Sequence, residues 1–453
     1  MIRYVQIPSA QERFDGSMAI NVIGAGLAGC EAAWQIAKRG LEVVLWEMRP
    51  FQQTPAHSSG DFAELVCSNS LGSTSETTAA GLLKLELERL GSLILDTAKQ
   101  AQVPAGSALA VDRHRFAQLV TERIQSCPQI RVVREECTDI PQGITVVATG
   151  PLTSDAMTEA LKRLTKSEYL HFYDAAAPIV DGTTIDYTAG FWGARYGRGE
   201  PDYFNCPLTR DEYEAFWKAL ANADLAPVHL EEETELTVFE GCMPIEVLAA
   251  RGKDALRYGP LRPVGLVGPS GRRPYAVLQL RKENTQGTLF NLVGCQTRLK
   301  WGEQKRVFRM IPALRQAEFV RYGVMHRNTF VKAPEVLLPS FQMRRYANIL
   351  LAGQLTGVEG YVESTASGLT AGINAARLAM GRKPLVFPED TMIGALAAYI
   401  AKAAPEHFQP MNANFGILPP LSERIRDKQA RKLSYTKRAL QSLEAYLSAV
   451  EES

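Results

Sequence analysis

Residues 20–29, Ile20-Asn21-Val22-Ile23 running into Gly24-Ala25-Gly26-Leu27-Ala28-Gly29, restrict this chain more than any other segment. An apolar strand that enters Gly24-x-Gly26-x-x-Gly29 and then a helix opens a βαβ unit that sets a pyrophosphate on a helix N-terminus. Gly24 permits the tight turn, Gly26 lets backbone N–H groups approach phosphate, and Gly29 lets the helix lie close to the strand. The pattern predicts a helix over residues 30–39, a stop at Gly40 and a second strand over residues 41–47. Glu47, 18 residues beyond Gly29, then stands where a carboxylate accepts hydrogen bonds from a ribose. Strand, turn, helix and acidic strand tip together predict a dinucleotide site at Gly24, Ala25, Gly26, Leu27, Ala28, Gly29 and Glu47.

Two later segments bear on which dinucleotide. Residues 144–150, ending in Ala148-Thr149-Gly150, resemble the second signature of the glutathione-reductase-type flavoproteins, where the returning chain passes beside the nucleotide. Residues 348–360 are similar to the strand-and-glycine segment that closes such domains over a flavin. Three signatures in this order imply FAD rather than NAD as the bound nucleotide, with Gly150, Gly353, Gln354, Gly357 and Gly360 as further contacts.

The 453 residues, 46% apolar, suffice for two or three domains with real cores. A net charge of +1 argues against a globally basic nucleic-acid coat, so a polyanion site would be a local patch. No apolar run reaches the ~18 residues that a membrane span needs, and residues 1–17 read as an extension rather than a secretion signal. Seven cysteines, odd in number and scattered without a CxxC, fit reduced thiols in a cytoplasmic protein. The six histidines form no HExxH or close pair, so no metal site is expected.

The remaining texture predicts an α/β fold in which a Rossmann domain is interrupted by a mixed, largely antiparallel α+β insertion. The expected division is 1–17 extension, 18–164 first part of the FAD-binding domain, 165–335 inserted substrate and RNA domain, and 336–453 second part with C-terminal helices. Helices are expected over 80–91, over 113–126 with Asp112 as N-cap, over 210–221, over 390–403 and over 422–450. Short alternating strands are expected over 275–280 and 288–294.

Charge is uneven along the chain. Between Arg298 and Arg345 eleven Lys/Arg face three Glu, with Trp301, Phe308, Phe319 and Tyr322 interleaved. Between Leu421 and Arg438 seven Lys/Arg face two acids. Cations neutralise phosphate and aromatic rings stack on unpaired bases, so both stretches are candidates for RNA contact, Lys305, Arg306, Arg309 and Arg315 foremost. The bland alternative is a solvated helix face with core aromatics. Among the cysteines, Cys67 lies in a polar, turn-prone segment and Cys242 is bracketed by Gly241 and Pro244, settings placed for access more than for packing, although a lone cysteine is usually a small core hydrophobe.

Residues 22–33, 65–71, 239–246, 357–364 and 409–420 together closely resemble the TrmFO family of folate- and FAD-dependent tRNA (uracil-5-)-methyltransferases, relatives of the MnmG/GidA flavoproteins. The resemblance covers about residues 18–421. It implies formation of 5-methyluridine at position 54 in the tRNA T-loop, with carbon from 5,10-methylenetetrahydrofolate and reducing power from NADPH or NADH. It further implies Cys242 as the nucleophile at uracil C6 and Cys67 as acid/base, roles that could be exchanged. The chemistry is coherent, because thiolate addition to C6 turns the poorly nucleophilic C5 into an enolate carbon. No second strand–GxGxxG–helix is present, so the nicotinamide is expected to visit the flavin face transiently. The implied partners are tRNA, folate and nicotinamide nucleotide, with no membrane and no obligate protein partner. The same chemistry on a ribosomal-RNA uridine, a generic flavin oxidoreductase and a non-catalytic tRNA-binding protein remain as alternatives.

Overall fold

The computed structural model describes residues 19–451 apart from 55, 166–169, 198–199, 227–242, 270 and 324. Five parallel strands form the central sheet in the order Ile349–Leu351, Thr145–Val147, Ile20–Ile23, Val43–Trp46 and Ile130–Val133. Every residue of Ile20–Ile23 and Val43–Trp46 is buried, as continuous apolar strands covered on both faces must be. The helix after the glycine turn spans Leu27–Ala37 and so starts three residues earlier than the side-chain pattern indicates. Its cap is Gly26 in extended conformation, so backbone freedom rather than an apolar stripe sets the start. Asp112 caps the Arg113–Gln125 helix by accepting from the Arg115 amide at 3.1 Å.

The Leu27–Ala37 helix packs on the Tyr361–Ala379 helix, which is buried continuously from Val362 to Ala376. The contact depends on missing side chains. A Cβ at Gly368 would lie 2.2 Å from the Ala28 carbonyl oxygen, and one at Gly372 would lie 2.6 Å from that of Ala32. Two buried carboxylates join further helices to this core. Glu31 accepts from Ser92 Oγ at 2.7 Å and the Ile94 amide at 3.0 Å, at the start of the Leu93–Gln100 helix. Glu86 accepts from the Met392 and Ile393 amides at 2.7 and 2.8 Å, at the start of the Met392–Lys402 helix. Both satisfy orphan N–H groups that helix ends leave exposed.

A second, antiparallel sheet has six strands in the order Phe191–Trp192, Tyr203–Leu208, Ala276–Lys282, Leu289–Leu292, Ile179–Asp181 and Phe319–Arg321. One face packs Phe204, Leu278, Leu280 and Phe290 into a separate core. Its neighbours include the Arg210–Ala221 helix, which begins in a capping box between Thr209 and Glu212. The opposite face is polar: Asn205 sits opposite Gln279, and Arg281 opposite Asn291. Leu170–Ala175 and Met325–Phe330, paired antiparallel, carry the chain out to this sheet and back. The last helix, Lys428–Glu451, buries Ala439 and Leu443 in the first core; residues 422–427 precede it as a non-helical segment. No helix among the described residues is long and apolar enough to cross a membrane.

Gly372→Leu should force the two central helices apart and cost about 1–3 kcal/mol. Gly302→Ala adds a methyl on the exposed side of the Trp301–Phe308 helix, with nothing within 4 Å, and should add about 0.5–1 kcal/mol. Urea midpoints of the two variants check this; a neutral Gly372→Leu would contradict the packing argument.

Candidate active site

The glycine turn borders a cleft that opens to solvent. Gly24 has φ +95°, and a Cβ there would lie 2.7 Å from the Ala148 carbonyl oxygen. A Cβ on Gly29 would fall 1.7 Å from the Gly24 carbonyl oxygen. Gly26 and Gly150 have nothing within 4 Å of an added Cβ, so their backbones face open space. Of the residues read from the sequence, Gly24, Gly26, Leu27, Ala28 and Glu47 line the cleft, and so do Gly150, Gly353 and Gln354. Ala25, Gly29, Gly357 and Gly360 stand behind the wall. Gly357 closes on the Phe408 ring, at 2.5 Å from an added Cβ, and Gly360 is backed by the Glu363 carboxylate.

Glu47 has a second role that spacing does not reveal. Its Oε2 accepts from the Ala25 amide at 3.0 Å, and its Oε1 accepts from the amide and Nε of Arg49, both at 3.0 Å. Burial opposes ionisation, but the hydrogen bonds and charge of Arg49, with the Ala25 amide, hold the carboxyl below its usual range. Arg49, itself only 2% exposed, also pairs with Glu64 at 3.3 Å. Arg49, His57 and Glu64 line the cleft and were missed because no motif marks them.

Cys67 is half-buried on a loop fastened from both sheets. Tyr361, which lines the cleft, accepts through its hydroxyl from the amides of Cys67 at 2.8 Å and Ser68 at 3.1 Å. Arg113 Nη1 donates to the Leu65 carbonyl at 2.9 Å, and Arg321 Nη2 donates to the Val66 carbonyl at 2.8 Å. Arg281 donates to Ser68 Oγ and to Asn69 Oδ1, both at 2.9 Å. Arg113 and Arg321 both lie within electrostatic reach of the Cys67 thiol, so negative charge on that sulfur has cationic neighbours. Cys30, Cys137, Cys206 and Cys295 are buried, and burial pushes their thiols up, Cys137 to about 12. Cys242 lies outside the described residues.

The basic stretch read from the sequence divides in space. Lys305, Arg306 and Arg315 are exposed, with Arg306 paired to Glu303 at 2.6 Å. Arg309 is turned inward and donates Nε and Nη2 to the Ala317 carbonyl. Phe308 is fully buried in the second core. Phe319, Tyr322 and Trp301 form a stack at centroid spacings of 5.6 and 5.3 Å, and Trp301 ends it 63% exposed.

Across the seam between the two sheets, Arg113 Nη2 meets Glu283 Oε2 at 2.7 Å, with the acid 2% exposed. Glu283→Ala should cost about 3–5 kcal/mol, because the guanidinium stays buried without its counter-charge. Arg113→Met combined with Glu283→Leu should recover most of that loss. Denaturant unfolding of the three variants checks the pair, and a Glu283→Ala protein as stable as the parent would refute it.

Comparison with known proteins places this geometry. Residues 19–383 match the family model described as glucose inhibited division protein A. The methylenetetrahydrofolate--tRNA-(uracil-5-)-methyltransferase TrmFO of Heliobacterium modesticaldum is 56% identical over 433 residues, covering 95% of this chain and 98% of that protein. The protein of the same name from Pelotomaculum thermopropionicum is 59% identical over 429 residues, covering 94% and 98%. Among solved structures, Aquifex aeolicus GidA superposes with a TM-score of 0.68 at 17% identity, covering 96% of this chain and 76% of that one, a likeness of fold. The chain thus belongs to the glucose inhibited division protein A family and, within it, groups with the TrmFO proteins.

Proposed function

We propose that this protein forms 5-methyluridine in the T-loop of tRNA, taking the carbon from 5,10-methylenetetrahydrofolate and using FAD that NADPH or NADH reduces. The observation that carries the reading is the Tyr361 hydroxyl, which hangs the Cys67 loop on the wall of the glycine-rich cleft. The Cys67 loop is thereby held next to the glycine-rich cleft, which supports a role for its thiol in this chemistry.

The cleft fits FAD. The open backbone at Gly26 and the N-terminus of the Leu27–Ala37 helix would take the pyrophosphate. Glu47 would hold the ribose, and Gly150, Gly353 and Gln354 would border the rest of the cofactor. Bound FAD, once reduced by NADPH or NADH, would supply the two electrons that convert a methylene-level carbon to a methyl group. The protein's own part is to make C5 nucleophilic and to manage protons. Cys242 adds to uracil C6 and makes C5 the nucleophile; Cys67 then removes the C5 proton, and the Cys242 thiolate leaves C6 as the C5–C6 double bond re-forms, with Arg113 and Arg321 within electrostatic reach of the Cys67 sulfur. The loop clamps keep Cys67 in place relative to the cleft, which limits the conformational freedom lost when substrate binds. Lys305, one helical turn from the exposed Trp301, and Arg315, also exposed, are the members of the first basic stretch best placed for RNA.

Gly26→Val should place a side chain where phosphate oxygens sit, giving protein that folds but carries little flavin. Absorbance of the purified protein measures this, and full flavin content would remove the pyrophosphate from Gly26.

For the thiols, tRNA bearing 5-fluorouridine at the target position replaces the departing proton with fluorine. The parent protein, given methylenetetrahydrofolate and NADPH, should accumulate a covalent protein–RNA complex, and Cys242→Ala should form none. Cys67→Ala should lose turnover while keeping FAD. An adduct through Cys67 in the Cys242→Ala protein would reverse the roles. Full methylation by both alanine variants, read by mass spectrometry of tRNA, would exclude thiol catalysis.

A further inference from the structure

A second concavity lies where the chain passes from Pro420 into the last helix. It opens to solvent and is lined among others by Arg424, Arg426, Arg431, Tyr435 and a single acid, Glu423. All three arginines are exposed, and among the described residues none of them makes an ion pair. Arg438, by contrast, is spent on structure: Nη1 donates to the Pro420 carbonyl at 3.0 Å and Nη2 to the Pro419 carbonyl at 2.8 Å. Its guanidinium also lies over the Tyr435 ring at 5.2 Å.

The concavity is tied to the wall of the flavin cleft. Tyr435 stacks on Phe415 at 5.6 Å. The strand of chain leading to Phe415 is anchored by the Met411 amide on the Gly357 carbonyl at 2.9 Å and by the Ala413 amide on Glu363 Oε1 at 2.9 Å. Gly357 belongs to the turn that begins with Gly353 at the cleft. Three unpaired cations therefore stand at a set position relative to the site of chemistry, in a protein whose net charge is only +1.

We propose that this concavity is a docking site for the phosphate backbone of tRNA, with Arg424, Arg426 and Arg431 as its phosphate ligands; this rests on the reading of the protein as acting on tRNA. Guanidinium forks match phosphate oxygens in pairs, and arginines without an acidic partner are free to neutralise phosphates and so release the counterions condensed on the RNA. The other basic stretch is weaker in this respect than its composition suggests, since Arg306 is neutralised by Glu303 and Arg309 is bound to Ala317.

The test uses the full-length, FAD-loaded protein and unmodified tRNA, with affinity measured from about 50 to 300 mM salt. Replacing all three arginines by glutamine should weaken binding at least tenfold at the lowest salt. It should also reduce the slope of log affinity on log salt by roughly 2–3, near 0.7–0.9 per phosphate contact. Flavin content and reduction of the flavin by NADPH should not change, and the triple lysine variant should restore most of the slope. Methylation by the parent with an unchanged slope in the glutamine variant overturns this site alone. A raised KM for polyglutamylated folate with an unchanged slope assigns the concavity to folate carboxylates and also overturns it. If the parent forms no methyluridine in tRNA, the functional reading falls and this site falls with it.

Discussion

The contact on which the rest of the molecule depends is the crossing of two helices, Leu27–Ala37 and Tyr361–Ala379, with Gly368 and Gly372 laid against the carbonyls of Ala28 and Ala32. Helices meet this closely only where side chains are absent, and each added carbon would have to displace backbone. The crossing holds two turns that are more than three hundred residues apart in sequence on one cleft. The Gly353 amide donates to Ser367 Oγ at 2.7 Å, and a Cβ on Gly353 would meet that of Ala28 at 3.2 Å. Tyr361 opens the second helix, so the same contact that shapes the nucleotide cleft also sets the hydroxyl from which the Cys67 loop hangs.

The second sheet completes the site electrostatically. Its polar face supplies Arg281 and Arg321, while the first sheet's side supplies Arg113, and all three end on residues 65–69. Three guanidinium groups gathered in a buried seam would repel one another and carry a large desolvation cost. Glu283 offsets part of it, and the carbonyl groups of Leu65 and Val66 take donors that would otherwise be unsatisfied. The charged seam therefore holds the loop and brings Arg113 and Arg321 within electrostatic reach of its thiol. A site divided between two sheets in this way links seam stability to thiol position.

Charge in sequence and charge in space differ for a simple reason. A count of Lys and Arg does not say which are already matched by a neighbour. Glu303 is three residues from Arg306 on one helix, a spacing that a helical reading could have flagged, whereas Arg309 is engaged by a carbonyl eight residues on, in a turn. The aromatic residues separate in the same way: Phe308 faces the core on the helix that exposes Trp301.

What the sequence by itself determined follows from local rules. The glycine spacing at residues 24–29, the Asp112 cap, the Thr209 and Glu212 box and the apolar strands are encoded over a few residues, so βαβ order and the nucleotide turn were legible. Recognisable strings at Cys67 and in residues 357–364 likewise carried the family. Tertiary structure alone decided that Tyr361 meets Cys67, that Arg113 crosses to Glu283, that Arg321 reaches the Val66 carbonyl and that Arg281 reaches Asn69. These are contacts between side chains brought together by packing, and burial then selects which charges are paired. No local period or spacing records that outcome, because the partners share no segment of chain.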